Sequence, residues 1–291
     1  VKSPTPFQPL FAPGTTLGTT YTVEAFLGAG AYGQVYRVTH RYLGRQALKV
    51  FPPGGLSPTQ DFFHEARILV SLTHPNIVRI FDANIVETPS GPLPYLAMEF
   101  IEGETLGCIL RQRVRLGLAE ATALARDLAE GVREAHQLDP PLLHLDLTTE
   151  NVMVTQFRGR LHAKIADFGV AAQVHPTTHM ARAQGTLYYM APEMFWGYAT
   201  PASDVYMLGF LIYWLYAGVP PYPTPTVPSD ASTRDWADAI QRSRNVPAPP
   251  LTRFRLDIPP ALAELVAKAL IPDPGQRYPN ATVFWTALRG V

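Results

Sequence analysis

In the stretch HLDLTTENVMV, Asp146 is followed by Asn151, and the AKIADFG run shortly after adds a second carboxylate, Asp167. One carboxylate at such a point can accept the proton of an attacking hydroxyl. The other, together with the amide, can hold magnesium on nucleotide phosphates, so the chemistry this trio would do is phosphoryl transfer. Asp-Phe-Gly alone is a common tripeptide. His144-x-Asp146 and Asn151 at their offsets upstream of Asp167 make the set specific.

Such chemistry also needs groups that hold phosphates. Gly28, Gly30 and Gly33 form G-x-G-x-x-G, followed by Val35, and glycines let a hairpin backbone fold closely over phosphates. Alone, the pattern is equally that of a plain glycine-rich turn. Its setting of strand, loop, strand, rather than strand, loop, helix, argues against a dinucleotide-binding fold. Lys49 is one of only four lysines and lies in ALKV, where strand alternation puts Ala47 and Lys49 on one face. By itself it reads as a snorkelling surface lysine. Within an apolar strand beside the other motifs, its ammonium needs an anionic partner. Glu65 is the candidate, fixing the amine where it reaches the α- and β-phosphates of ATP. Leu69, one helical turn on, shares the face of Glu65.

The elements that must position these groups fall into two parts. From Tyr21 to Met98 the apolar runs are short and rich in β-branched and aromatic residues (YTVEAFL, GQVYRVTH, ALKVF, IVRIFDANIV, YLAMEF), which predicts a small, mostly antiparallel sheet. One helix interrupts it. Ser57 is its predicted cap, Pro58 suits its first turn, Gln60 completes a capping-box pattern, and Phe62, Glu65 and Leu69 line its inward face. After Glu104 the period turns helical: Leu124, Leu128 and Val132 recur at helical spacing, and WADAIQRSR and ALAELVAKAL follow. The expected organisation is a proline-rich tail outside the core over residues 1–20, a sheet lobe over 21–101 and a mainly α-helical lobe over 102–291. The apolar run Val205 to Val219 is too short to span a bilayer and runs into Pro220 and Pro221, so it reads as a buried core helix. Residues 222–250 carry two proline clusters around an amphipathic helix and read as surface connections, a poor place for catalysis.

Composition narrows the partners. Twenty-four basic residues balance twenty-four acidic ones, leaving no basic field for nucleic acid or a membrane surface. Cys108 is the only cysteine, which excludes an intrachain disulfide framework or a multi-cysteine zinc site. His175 and His179 have no cysteine or carboxylate beside them and read as loop histidines. The proline-rich start lacks the apolar region of a secretory signal. The expected location is cytoplasmic, either as it stands or as the cytosolic domain of a longer protein.

With these motifs assembled, the chain from about Tyr21 onward resembles a eukaryotic-type Ser/Thr protein kinase. Its arginine- and alanine-rich, lysine-poor composition suggests a bacterial source. The resemblance implies an α+β, two-lobed fold with ATP bound between the lobes. It implies Asp146 as catalytic base, Mg2+ on Asn151 and Asp167, and a Lys49–Glu65 pair. YLAMEFIEGETL resembles the hinge, with Met98 at the gating position and Glu99 to Ile101 offering backbone bonds to adenine, while Val35, Ala47 and Met153 sandwich the base. Leu69, Ile80, His144 and Phe168 match a stacked apolar spine. GTLYYMAPE resembles the end of an activation segment, with a protein substrate docking near Gly185 and Thr186. Glu193 is implied to pair with Arg277, and Asp204 to bond the catalytic-loop backbone. A small-molecule kinase of related fold would generally lack this docking segment.

Two positions depart from the family pattern. Leu145 replaces the arginine before the catalytic aspartate, so no arginine there can clamp a phosphorylated loop, and phosphorylation of Thr177 or Thr178 would not act by that route. Thr148 replaces the lysine that contacts the transferred phosphoryl group. An unreplaced cation there would cost roughly 2–4 kcal/mol of transition-state stabilisation, by analogy with an oxyanion donor. The alternative this raises is a pseudokinase, a nucleotide-binding scaffold or regulator. The intact Asp146, Asn151 and Asp167 favour an active enzyme.

Overall fold

Side-chain alternation of period two folds the first part of the chain into an antiparallel sheet. The computed structural model describes residues 8–30, 33–51, 60–89, 91–113, 115–168, 187–228 and 231–291. It forms two compact units, Val1–Thr73 with Val78–Ile101, and His74–Ile77 with Glu102–Val291.

In the first unit, strands β1 (Thr16–Leu17), β2 (Tyr21–Ala29), β3 (Gln34–His40), β4 (Gly44–Val50), β5 (Ile80–Thr88) and β6 (Gly91–Glu99) lie in the order β1-β2-β3-β4-β6-β5, every neighbour antiparallel. One face buries Tyr36, Val38, Leu48, Val50, Tyr95 and Ala97 in a single apolar cluster. Cross-strand register puts Val35 opposite Lys49 and Ala47 opposite Met98, so these four share the other face. Helix α1 (Gln60–Ser71) lies between β4 and β5 in the chain. Leu69 is buried; Ser57, Pro58 and the side chains of Phe62 and Glu65 lie outside the described residues.

The expectation of a tail through residue 20 does not hold for residues 8–20. Phe11 and Leu17 join the core cluster, and β1 pairs with β2. Proline-rich composition removes periodicity, but single aromatic and aliphatic side chains still find an apolar face to cover.

The second unit holds β7 (Glu104–Thr105), α2 (Leu106–Gln112), α3 (Leu118–His136), β8 (Val152–Phe157), β9 (Arg160–Ile165), α4 (Pro201–Ala217), α5 (Thr233–Ser243), α6 (Pro260–Ala269) and α7 (Ala281–Arg289). Leu124, Leu128 and Val132 of α3 are fully buried, as their period predicts. Strands β8 and β9 form a hairpin that the helical reading of this lobe left out. Its two turn residues, Arg158 and Gly159, have φ of 50° and 78°, the left-handed pair that matches strand twist. Helix α4 is apolar on all sides and buried nearly throughout, packing against α3, α6 and α7. Gly209 is required there, because a Cβ would lie 2.7 Å from that of Ala269 in α6. Gly218, at φ 77°, ends α4. No helix among the described residues is long and apolar enough to cross a membrane.

Candidate active site

Long-range hydrogen bonds organise the loop that carries Asp146. Asp204, in the first turn of α4, is fully buried. It accepts bonds from His136 Nε2 at 2.9 Å, the His144 N–H at 2.7 Å and the Leu145 N–H at 2.9 Å. His136 Nδ1 accepts from the Ala281 N–H at 3.1 Å, so one neutral tautomer, protonated at Nε2, satisfies both ring nitrogens. Burial pushes the Asp204 carboxyl up, but the bonds from His136 and His144 outweigh it and hold it below the ordinary carboxylate value. These bonds fix Leu145 at φ 60°, a conformation leucine rarely takes.

Of the predicted trio, Asn151 bonds Asp146 directly, and a backbone bond ties the residue before Asp167 to Asn151. His144 Nδ1 accepts the Asp146 N–H at 3.2 Å, and its Nε2 bonds the Ala166 carbonyl at 2.9 Å. Its ring meets Phe168 edge-on, with centroids 4.6 Å apart. Asn151 Nδ2 donates to the Asp146 carbonyl at 2.7 Å and to Asp146 Oδ2 at 2.9 Å. The Asn151 carbonyl in turn receives the Ala166 N–H at 2.8 Å. The next residue, Asp167, has φ 62°. Thr148 is buried, and its Oγ1 accepts the Asn151 N–H at 3.3 Å. Met153 lies on β8, paired with Thr105 and Lys164.

In the first unit, Lys49 is buried on β4 between Val35 and Leu96, its register partners. The expected Lys49–Glu65 pair lies outside the described residues, as do Ala31 and Tyr32 in the glycine loop. Gly30 N–H donates to the Gly33 carbonyl at 2.9 Å. The three glycines have different reasons to be there. A Cβ on Gly33 would lie 2.5 Å from the Val50 carbonyl, whereas one on Gly28 or Gly30 would point into open space. Met98 is buried, and the Glu99 N–H donates to the Arg79 carbonyl at 2.8 Å. Ile101 follows at the end of this unit.

Gly185, Thr186, Thr177, Thr178, His175 and His179 lie outside the described residues. From Leu187 onward the segment is held from below. Glu193 and Arg277 form a buried bidentate pair, both N···O distances 2.8 Å. Arg244, at the end of α5, donates to the carbonyls of Tyr188 at 2.7 Å and of Met190. The sequence reading placed this stretch among surface connections and missed Arg244. Nothing local separates it from exposed Arg242. His136 was missed for the same reason, because its partners, Asp204 and Ala281, are distant in the chain.

Sheet unit, helical unit and this loop together define a protein kinase fold, and comparison with known sequences agrees. The profile of the protein kinase domain family matches residues 21–285, and the chain belongs to that family. It is similar to the serine/threonine-protein kinase PknB of Mycolicibacterium smegmatis, 31% identical over 274 residues and covering 91% of this chain and 42% of that protein. It is also similar to the serine/threonine-protein kinase PknA of Mycobacterium tuberculosis, 31% identical over 286 residues and covering 96% of this chain and 62% of the relative. The chain thus spans about half the length of these two relatives. Among solved structures, the Mycobacterium tuberculosis PknI kinase domain matches with a TM-score of 0.68 and 28% identity, over 96% of this chain and 99% of that one. Membership implies ATP as a substrate and a divalent metal.

Proposed function

We propose that this domain transfers the γ-phosphate of ATP to serine or threonine hydroxyls of proteins. The observation that carries the reading is the bonded group in which Asn151 ties itself to Asp146 and, through Ala166, to the chain at Asp167. Asp146 orients the substrate hydroxyl and accepts its proton. With its nitrogen committed to Asp146, Asn151 offers Oδ1, and with Asp167 it makes an all-oxygen donor set. That set suits Mg2+ rather than zinc, which favours nitrogen and sulfur. Bound magnesium would neutralise charge on the β- and γ-phosphates.

Lys49, oriented by Glu65, positions the α- and β-phosphates, and Gly28, Gly30 and Gly33 let the hairpin backbone approach them. Val35, Ala47, Met98 and Met153 contact the base. The Glu99 N–H is already bonded to Arg79, so Glu99 meets adenine through its carbonyl, and Ile101 adds a backbone donor. The protein substrate docks near Gly185 and Thr186, and a reducing cytoplasm suits a chain with one cysteine. The pseudokinase alternative raised by Thr148 draws no support from the PknA and PknB relatives, which are named as kinases.

The test is incubation of the protein and its Asp146→Asn variant with magnesium, γ-labelled ATP and a generic protein substrate, with labelled residues located by mass spectrometry. Label on serine or threonine is expected, with the variant slower by at least about a hundredfold and still binding ATP. Undiminished transfer by the variant would refute the role of Asp146. Absence of label from the parent protein, with ATP bound, would overturn the transfer reading itself.

A further inference from the structure

Gln34 is the first residue of β3, directly after Gly33, and is only 4% exposed. A buried primary amide is costly unless both its ends are bonded. Here both ends are used by one short segment from the start of the chain. Gln34 Nε2 donates to the Gln8 carbonyl at 3.1 Å, and its Oε1 accepts the Leu10 N–H at 3.0 Å. Tyr36, fully buried two residues on, donates its hydroxyl to Gln34 Oε1 and accepts the N–H groups of Leu10 at 2.8 Å and Phe11 at 3.3 Å. The Phe11 ring sits edge-on to that of Tyr36, centroids 5.5 Å apart. The same segment then turns onto β2: Gly14 N–H donates to the Val23 carbonyl at 2.8 Å, and Val23 N–H to the Thr15 carbonyl at 2.9 Å.

Residues 8–15 are therefore fastened to both strands that flank the glycine-rich loop. They lie on the face of Tyr36 and Leu48, opposite the face of Val35 and Lys49. Phe11, the anchoring side chain of the segment, packs on Tyr36 on the face away from Val35 and Lys49, so its route to a nucleotide runs through the backbone of the hairpin.

We propose that residues 8–15 are a strap that positions the glycine-rich hairpin for nucleotide binding, with Leu10, Gln34 and Tyr36 as its positioning residues. The effect on nucleotide rests on the function proposed above. Two variants cut one shared bond, Leu10 N–H to the Tyr36 hydroxyl, from opposite sides. Leu10→Pro removes the shared N–H at an exposed position, and Tyr36→Phe removes only the hydroxyl. Leu10→Pro thereby removes two of the strap's bonds and Tyr36→Phe three. Each is expected to raise the KM for ATP about three- to tenfold with kcat within about twofold, because only part of that loss is transmitted to the hairpin. The double variant is expected to fall short of the product of the two single effects, since the bond between Leu10 and Tyr36 is lost in each single variant and can be lost only once.

Unchanged KM in the single variants, effects that multiply in the double variant, or a fall in kcat alone would overturn the proposal. Amide hydrogen exchange at Gln34, Val35 and Tyr36 separates this outcome from failure of the nucleotide reading. If the parent protein does not use ATP, faster exchange in Leu10→Pro still supports the strap, and unchanged exchange overturns it.

Discussion

Arg277 shows what holding a charge inside this fold requires. Both terminal nitrogens meet Glu193 at 2.8 Å, and the remaining donors go to the carbonyls of Ala202 at 3.1 Å, Pro272 at 2.6 Å and Ile271. The guanidinium also lies 4.7 Å from the centroid of the Tyr206 ring, and Ser203 Oγ donates to Glu193 at 2.7 Å. Bringing two ions out of water costs several kcal/mol each, which their attraction offsets only when every donor is matched. Removing one member alone leaves the other charged and buried. Glu193→Gln is therefore expected to lower the unfolding free energy by about 3 kcal/mol or more in chemical denaturation near neutral pH. A loss below about 1 kcal/mol would put the pair in the class of exposed ion pairs. Thr148 is the contrasting case, a small neutral side chain whose hydroxyl serves Asn151, so the departure from lysine leaves the loop bonded and uncharged at that point.

Helix α5 shows how an element can serve a segment it does not belong to. Its last turn delivers Arg244, whose guanidinium lies over the rings of Tyr206 and Phe195 at 5.2 and 5.9 Å and bonds the Tyr188 and Met190 carbonyls. Burial pushes its pKa below the ordinary arginine value. Arg244→Met leaves those carbonyls without their donor, so the KM for protein substrate should rise about tenfold or more while that for ATP stays within about twofold. Equal changes in both constants in steady-state kinetics would make Arg244 a purely structural residue. Elements like α3 were legible because Leu124, Leu128 and Val132 repeat without interruption, and the catalytic loop was legible because its spacing is local. Arg244, His136 and the segment around Phe11 were not. Their partners lie far away in the chain, and neither composition nor period encodes which distant carbonyl or ring a side chain will meet. The tail reading failed for that reason, since the bonds to Gln34 and Tyr36 span 24 to 26 residues.

At the scale of the whole molecule, formal charge is zero at pH 7, so net self-repulsion is absent near neutrality and grows only toward the pH extremes, where it adds to the effect of individual buried groups. On the acid side Asp204, held below its ordinary value, contributes stability that is present above about pH 4 and is lost as pH falls below it. Asp127 acts oppositely: burial raises its pKa despite the Ala163 N–H bond, so its ionisation offsets part of that gain. On the alkaline side burial pushes Tyr21, Tyr188 and Tyr213 up to about 12, and Tyr95 and Tyr206 higher still. Tyrosines of the unfolded chain ionise near pH 10, so this contribution is fully present below about pH 10 and is lost as pH rises through about 12. Urea unfolding free energies should therefore be nearly flat from about pH 6 to about pH 9 and fall on both sides. Phenolate absorbance provides the sharper check. The buried tyrosines should ionise together with loss of the near-ultraviolet circular dichroism signal, as one cooperative step. Gradual ionisation of all thirteen tyrosines near pH 10 in a chain that keeps its native signal would show that these rings are not sequestered from water.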